Sequence, residues 1–96
     1  MQGGWVYIMA SKPFGTLYIG VTADLARRIN EHREGLVDGF TSRYGVTQLV
    51  YYERHEDIRG AIQREKTMKH WPRQWKINAI AAFNPDWADL YPTLSA

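Results

Sequence analysis

Arg28 and His32 stand four residues apart, one helical turn, in the run Asp24-Leu25-Ala26-Arg27-Arg28-Ile29-Asn30-Glu31-His32. On a helix that spacing puts them on one face. A guanidinium grips two phosphate oxygens at once and stays charged at any working pH. An imidazole hydrogen-bonds a nucleophile or moves a proton near neutrality. Just upstream, Trp5-Val6-Tyr7 and Tyr18-Ile19-Gly20 each carry a phenol on a strand-like triplet. A phenol titrates near ~10 and acts as a base only where a metal or another cation lowers that value. Singly, each feature has a plain explanation: an exposed helix pair, or two packed core aromatics. Side by side, phenol, guanidinium and imidazole suit a phosphodiester.

Glu65 is a further candidate. Ile58, Ala61, Ile62, Glu65, Met68 and Lys69 fall at i, i+3, i+4, i+7 spacing, a face that should be apolar. Burying an unpaired carboxylate costs roughly several kcal/mol, so Glu65 is predicted to hold a partner. An Arg or Lys at the edge of the stripe is the simplest one.

The elements that must position these groups are readable. Residues 5–10 and 16–21 are predicted strands, rich in Val, Ile and Tyr, joined by Ser11-Lys12-Pro13-Phe14-Gly15 as an antiparallel hairpin. A helix is predicted to start near Thr22 as its cap, with Asp24 in the first turn and Gly35 as its stop. It carries the apolar line Leu25, Ile29 and Leu36. Residues 36–47 read as loop, 48–54 as a third strand, about 56–70 as a second helix and 73–83 as a third. Asn84-Pro85-Asp86 ends that helix, and 86–91 read as one more helical turn. The order β-β-α-β-α-α predicts an α+β domain spanning 1–96, a small, mostly antiparallel three-stranded sheet flanked by helices.

Composition narrows the classes. Hydrophobic residues make up 45% of the chain, enough for a modest core. No cysteine is present, which removes disulfides and thiolate zinc sites and fits a reducing, cytoplasmic setting. No apolar run is long enough for a membrane span, and the start Met1-Gln2-Gly3-Gly4 is not a signal peptide. His55, His70 and His32 form no metal-ligand spacing, neither Thr22 nor Ser42 has triad partners in sequence, and no Gly-rich phosphate loop occurs. Net charge is +2, but residues 59–76 hold six bases against Glu65, while 21–58 hold five bases and seven acids. The basic stretch is either a solvated helix face or a surface for polyanions.

Taken in order, these elements resemble the GIY-YIG nuclease superfamily, and most closely its short, single-domain bacterial members. The resemblance covers nearly the whole chain. It runs through Val6-Tyr7-Ile8, Leu17-Tyr18-Ile19-Gly20-Val21-Thr22, Asp24-Leu25, Arg28 with His32, and Gly39-Phe40-Thr41. It continues through Leu49-Val50-Tyr51-Tyr52-Glu53, Ala61-Ile62-Gln63-Arg64-Glu65-Lys66, Lys69-His70-Trp71 and Asn84-Pro85-Asp86-Trp87-Ala88-Asp89-Leu90. The first triplet departs from the pattern: Trp5 stands where the family has glycine.

The resemblance implies roles by motif position. Tyr7 is the general base or water positioner, and Tyr18 helps to place nucleophile and phosphate. Arg28 stabilises the phosphate, His32 is hydrogen-bonded within the site, and Glu65 is the single metal ligand, for Mg²⁺ or Mn²⁺. Asn84 aligns with a late polar residue of some members. The implied activity is metal-dependent endonucleolytic hydrolysis of nucleic acid, DNA first, in repair or recombination. Lys66, Lys69 and Arg73 are expected to hold the phosphate backbone without reading sequence. Two other readings stand beside it. One is a nucleic-acid-binding module with weak or lost cleavage. The other is an interaction domain within a larger repair or recombination assembly, docking through Trp87 and Tyr91, although the simpler reading of these two aromatics is that they cover the end of the third helix.

Overall fold

The computed structural model describes residues 2–37 and 39–94. Three strands form one antiparallel sheet: β1 (Gly4–Ala10), β2 (Leu17–Thr22) and β3 (Gln48–His55), in the order β2-β1-β3. The helices are α1 (Leu25–Arg33), the single turn α2 (Phe40–Arg43), α3 (Ile58–Lys69), α4 (Arg73–Phe83) and the turn α5 (Tyr91–Leu94). The predicted α+β architecture and element order are present.

Strand β1 is central and buried on both faces, as its uninterrupted Val6-Tyr7-Ile8-Met9-Ala10 run requires. Side chains alternate along a strand. Val6, Ile8 and Ala10 therefore meet Ala61 and Met68 of α3, Ile80 of α4 and Trp87. Tyr7 and Met9 face the other way, onto Leu25 and Ile29 of α1 and onto Val46 and Leu49. Pairing of β1 with β3 shifts between Ile8 and Met9, so Val50 is an extra residue in β3. Its carbonyl accepts a hydrogen bond from the Asn84 side chain at 3.1 Å. Asn84 also closes on both the N–H and the carbonyl of Ala88, which makes it the clasp at the end of α4.

Several local expectations are corrected. Thr22 is the last residue of β2, not the cap of α1; its hydroxyl takes the Asp24 N–H at 3.1 Å. Asp24 is the cap, accepting from the Arg27 N–H at 3.2 Å. Gly35 follows the helix at φ +72°, the left-handed conformation that ends helices. Leu36 is exposed rather than part of the buried line. The segment read as loop contains α2, and the tail's helical turn is 91–94 rather than 86–91. Trp87 is buried, with its ring 4.6 Å from that of Phe14, so it is no exposed docking group.

Candidate active site

Strand register assembles the tyrosines. Tyr7 lies opposite Gly20 and Met9 opposite Tyr18, so Tyr7 and Tyr18 are diagonal neighbours on one face. Their ring centroids are 6.3 Å apart. Gly20 has a steric reason to be glycine: a Cβ there would overlap Cζ and Oη of Tyr7. The phenol lies flat across the space that a side chain would fill.

Helix α1 delivers His32 to that phenol. His32 is 2% exposed, and its Nε2 is 2.9 Å from Tyr7 Oη. Its Nδ1 is 3.0 Å from the hydroxyl of Thr41, a residue 2% exposed on α2. Tyr18 closes a triangle, its ring 5.3 Å from the imidazole. Burial, reinforced by the positive charge of Arg28, pushes the imidazole pKa down to about 4, so the ring is neutral at pH 7. Burial pushes the Tyr7 phenol up to about 12; the adjacent Arg28 guanidinium opposes the shift, while Tyr18 and Glu65 add to it. Arg28 is itself held more firmly protonated by Tyr7 and by Glu31, whose carboxylate lies 3.2 Å from its Nη1.

Glu65 enters from the other layer. Helix α3 packs on the sheet face opposite α1, and Glu65 is 7% exposed there. Its carboxylate holds the Lys69 ammonium at 2.6 Å, one turn along α3, the edge-of-stripe partner that spacing anticipated. That pairing pushes the Lys69 pKa up. Lys69 and Tyr18 then line a shared groove of about 320 Å³ with Leu17, Ile19, Phe40 and Lys76. The groove runs along β2, an edge strand, where residues of both layers meet.

The structure thus joins Tyr7, Tyr18, Arg28 and His32 by contact or charge, while Glu65 lies in the other layer and connects to them through Lys69, which shares a groove with Tyr18. The three expected backbone-binding cations diverge. Lys66 is exposed, Lys69 is engaged by Glu65, and Arg73 Nη2 donates to the carbonyls of Phe14 and Gly15 at 2.8 and 2.7 Å, tying α4 to the hairpin turn. Thr41 belongs to the Gly39-Phe40-Thr41 stretch of the resemblance, but nothing in that stretch assigns it a role. It occurs among Gly, Ser and Thr in a loop-like stretch, and only the tertiary fold sets it against His32.

Among the described residues, no three His, Asp or Glu side chains gather into a metal cage. Glu65, the residue expected to hold a metal, is paired with Lys69. A single carboxylate can serve only a hard ion that keeps several waters and takes further oxygen ligands from a phosphate.

A family model described as the GIY-YIG catalytic domain matches residues 3–78. The chain belongs to the GIY-YIG family. As a GIY-YIG domain it carries a nuclease fold, with both name-giving triplets on β1 and β2. It is 33% identical over 81 residues to a UPF0213 protein of Staphylococcus saprophyticus, covering 84% of this chain and 98% of that one. A UPF0213 protein of Clostridium perfringens is 36% identical over 78 residues, 81% of this chain and 83% of the relative. The solution NMR structure of a UPF0213 protein from Bacillus halodurans superimposes with a TM-score of 0.57 at 28% identity, over 91% of this chain and 92% of the other. The same small sheet-and-helix arrangement underlies this GIY-YIG domain and that neighbour. No helix among the described residues is long and apolar enough to cross a membrane.

Proposed function

We propose that this GIY-YIG domain is a divalent-metal-dependent endonuclease that hydrolyses phosphodiester bonds in DNA. The observation that carries the reading is the buried Tyr7–His32 hydrogen bond beside the Arg28 guanidinium, with Tyr18 sharing a groove with Lys69, which the Glu65 carboxylate holds.

Arg28 binds the scissile phosphate and adds positive charge where negative charge grows in the transition state. Its side chain is 38% exposed, so a substrate can reach it. Once its own hydrogen has passed to solvent, the Tyr7 phenolate takes the proton of the attacking water, with His32 and Tyr18 fixing the orientation of its ring. A neutral His32 is a poor final proton sink, because burial and Arg28 both oppose an imidazolium. The proton therefore rests on the Tyr7 oxygen. Glu65 would hold Mg²⁺ or Mn²⁺. A bound divalent ion supplies the positive charge that polarises the phosphate and brings the Tyr7 phenol into a useful range. Lys66 and Lys76, exposed or lining the groove, meet flanking phosphates without reading bases.

The test is direct. Purified protein is incubated with labelled single-stranded, duplex, nicked and branched DNA, with Mg²⁺, Mn²⁺ or EDTA. Cleavage is expected with metal and not with EDTA. Arg28→Ala and Glu65→Ala should each lose ~10²–10³ in rate, the usual cost of one well-placed transition-state group, while circular dichroism stays native. Cleavage in EDTA, or full activity in Glu65→Ala after contaminating nucleases are excluded, sinks the assignment.

A further inference from the structure

We propose that Thr41 is a positioning residue that fixes the tautomer of His32, so that the imidazole donates its hydrogen to the Tyr7 oxygen instead of accepting one from it. The inference rests on the reading of Tyr7 as the base.

Three side chains form a row: the Thr41 hydroxyl, the His32 ring and the Tyr7 phenol, joined at 3.0 and 2.9 Å. Thr41 and His32 are each 2% exposed and Tyr7 is 1% exposed. A neutral imidazole carries one hydrogen, on either Nδ1 or Nε2. The row therefore points one way throughout. In one direction Thr41 donates to Nδ1, and Nε2–H donates to Tyr7. In the other, Tyr7 donates to Nε2, and Nδ1–H donates to Thr41.

Each direction leaves one hydroxyl hydrogen over, and its location separates them. In the second direction it is left on Thr41. Among the described residues the Thr41 hydroxyl has no hydrogen-bond partner except His32, and its backbone carbonyl is taken by the Val46 N–H at 2.9 Å. A buried donor left unmade is costly. In the first direction the spare hydrogen is on Tyr7, beside Arg28, where water and phosphate arrive.

The charged surroundings favour the same choice. Arg28 flanks Tyr7 and His32, Glu31 faces Arg28, and Tyr18 touches both rings. Arg28 is a donor only. With Nε2–H donating to the Tyr7 oxygen and the Arg28 charge beside it, the surroundings favour a phenolate. His32 then supports the base without taking its proton, and Thr41 acts through His32, never touching substrate.

The experiment reads the tautomer itself. Histidine-¹⁵N-labelled protein is examined by NMR at neutral pH, with His32 assigned by the signal lost in His32→Gln. Wild type and Thr41→Ser are expected to carry the ring hydrogen on Nε2. Thr41→Val should lose that preference while His55 and His70 keep their signals. Turnover on the cleaved DNA should fall roughly 10–100-fold in kcat, with KM nearly unchanged. The pH limb that reports Tyr7 should move to higher pH, and Thr41→Ser should restore most of the rate. A ring hydrogen on Nδ1 in wild type overturns the proposal. So does an undisturbed Nε2 hydrogen and pH limb in Thr41→Val. Should Thr41→Val fail to fold, the wild-type tautomer decides alone. The NMR result needs no cleavage, so a failed nuclease assignment and a failed tautomer assignment are told apart.

Discussion

Gly20→Ala adds one methyl group, and its consequence can be worked from the sheet. The new Cβ would overlap Cζ and Oη of Tyr7 and lie 3.0 Å from Cε1. Tyr7 has little room to yield. It is 1% exposed, its Oη is held 2.9 Å from His32 Nε2, and Tyr18 lies against it. Either β1 and β2 separate or the phenol swings off the imidazole. Overpacking costs ~1–3 kcal/mol, and losing the buried hydrogen bond adds about 1 kcal/mol. Against this, Gly→Ala restricts the unfolded chain, which returns ~0.4–1 kcal/mol. A net loss of about 1–3 kcal/mol should lower Tm by roughly 5–20 °C in a domain of this size. Urea and thermal unfolding, followed by circular dichroism, measure it. The decisive arm is a double-mutant cycle with Tyr7→Leu, which removes the atoms that the methyl group meets. In that background Gly20→Ala should be neutral or slightly stabilising. An equal cost in both backgrounds, or none in wild type, would refute the claim that Tyr7 dictates glycine at position 20.

Two further outcomes are expected. The His32 pKa is depressed when folded, so the unfolded chain binds the extra proton first: the stability is complete above about pH 6.5 and drains away as pH falls toward 4. It amounts to at most ~3 kcal/mol, read as a steeper loss of urea resistance between pH 7 and 4.5 in wild type than in His32→Gln; parallel curves would contradict it. Lys69→Met removes the internal cation at Glu65, a half-exposed pair worth up to ~1 kcal/mol. Mn²⁺ should bind up to about fivefold more tightly by electron paramagnetic resonance, and unchanged or weaker binding would show that Lys69 does not compete for the carboxylate.

What could be read from the chain follows the range of the interactions involved. Strands and α4 were legible because Val, Ile and Tyr enrichment and the Asn84-Pro85 break are local signals. That Glu65 needs a cationic partner was legible from its place in an apolar stripe; that the partner is Lys69, expected instead to hold nucleic acid, was not. The cap of α1 was misplaced because both Thr22 and Asp24 are competent acceptors. Sheet pairing, which extends β2 through Thr22, decides between them. The contacts of Thr41 with His32 and of Trp87 with Phe14 were hidden for another reason: the fold brings these partners together, and no spacing rule connects them. Asn84 was legible as polar and late in the chain, but its work on the Val50 carbonyl depends on an irregularity of β3 pairing that composition does not announce.

The attachment of the tail to α1 bears on when the site comes into being. Arg33 binds Asp89 across 56 residues, Tyr91 binds Asn30 across 61, and Asp89 also caps the Leu49 N–H. The β1–β2 hairpin closes over a few residues, and such local closures form fastest. Closing the long connections costs entropy that rises slowly with length, about 0.6 kcal/mol per doubling, but it requires that residues 89 to 91 exist and have been reached. During synthesis the hairpin tyrosines can pair early, while the helix bearing Arg28 and His32 gains these anchors only after the tail emerges. The last contacts that hold α1 in place are thus the ones made by residues 89 and 91.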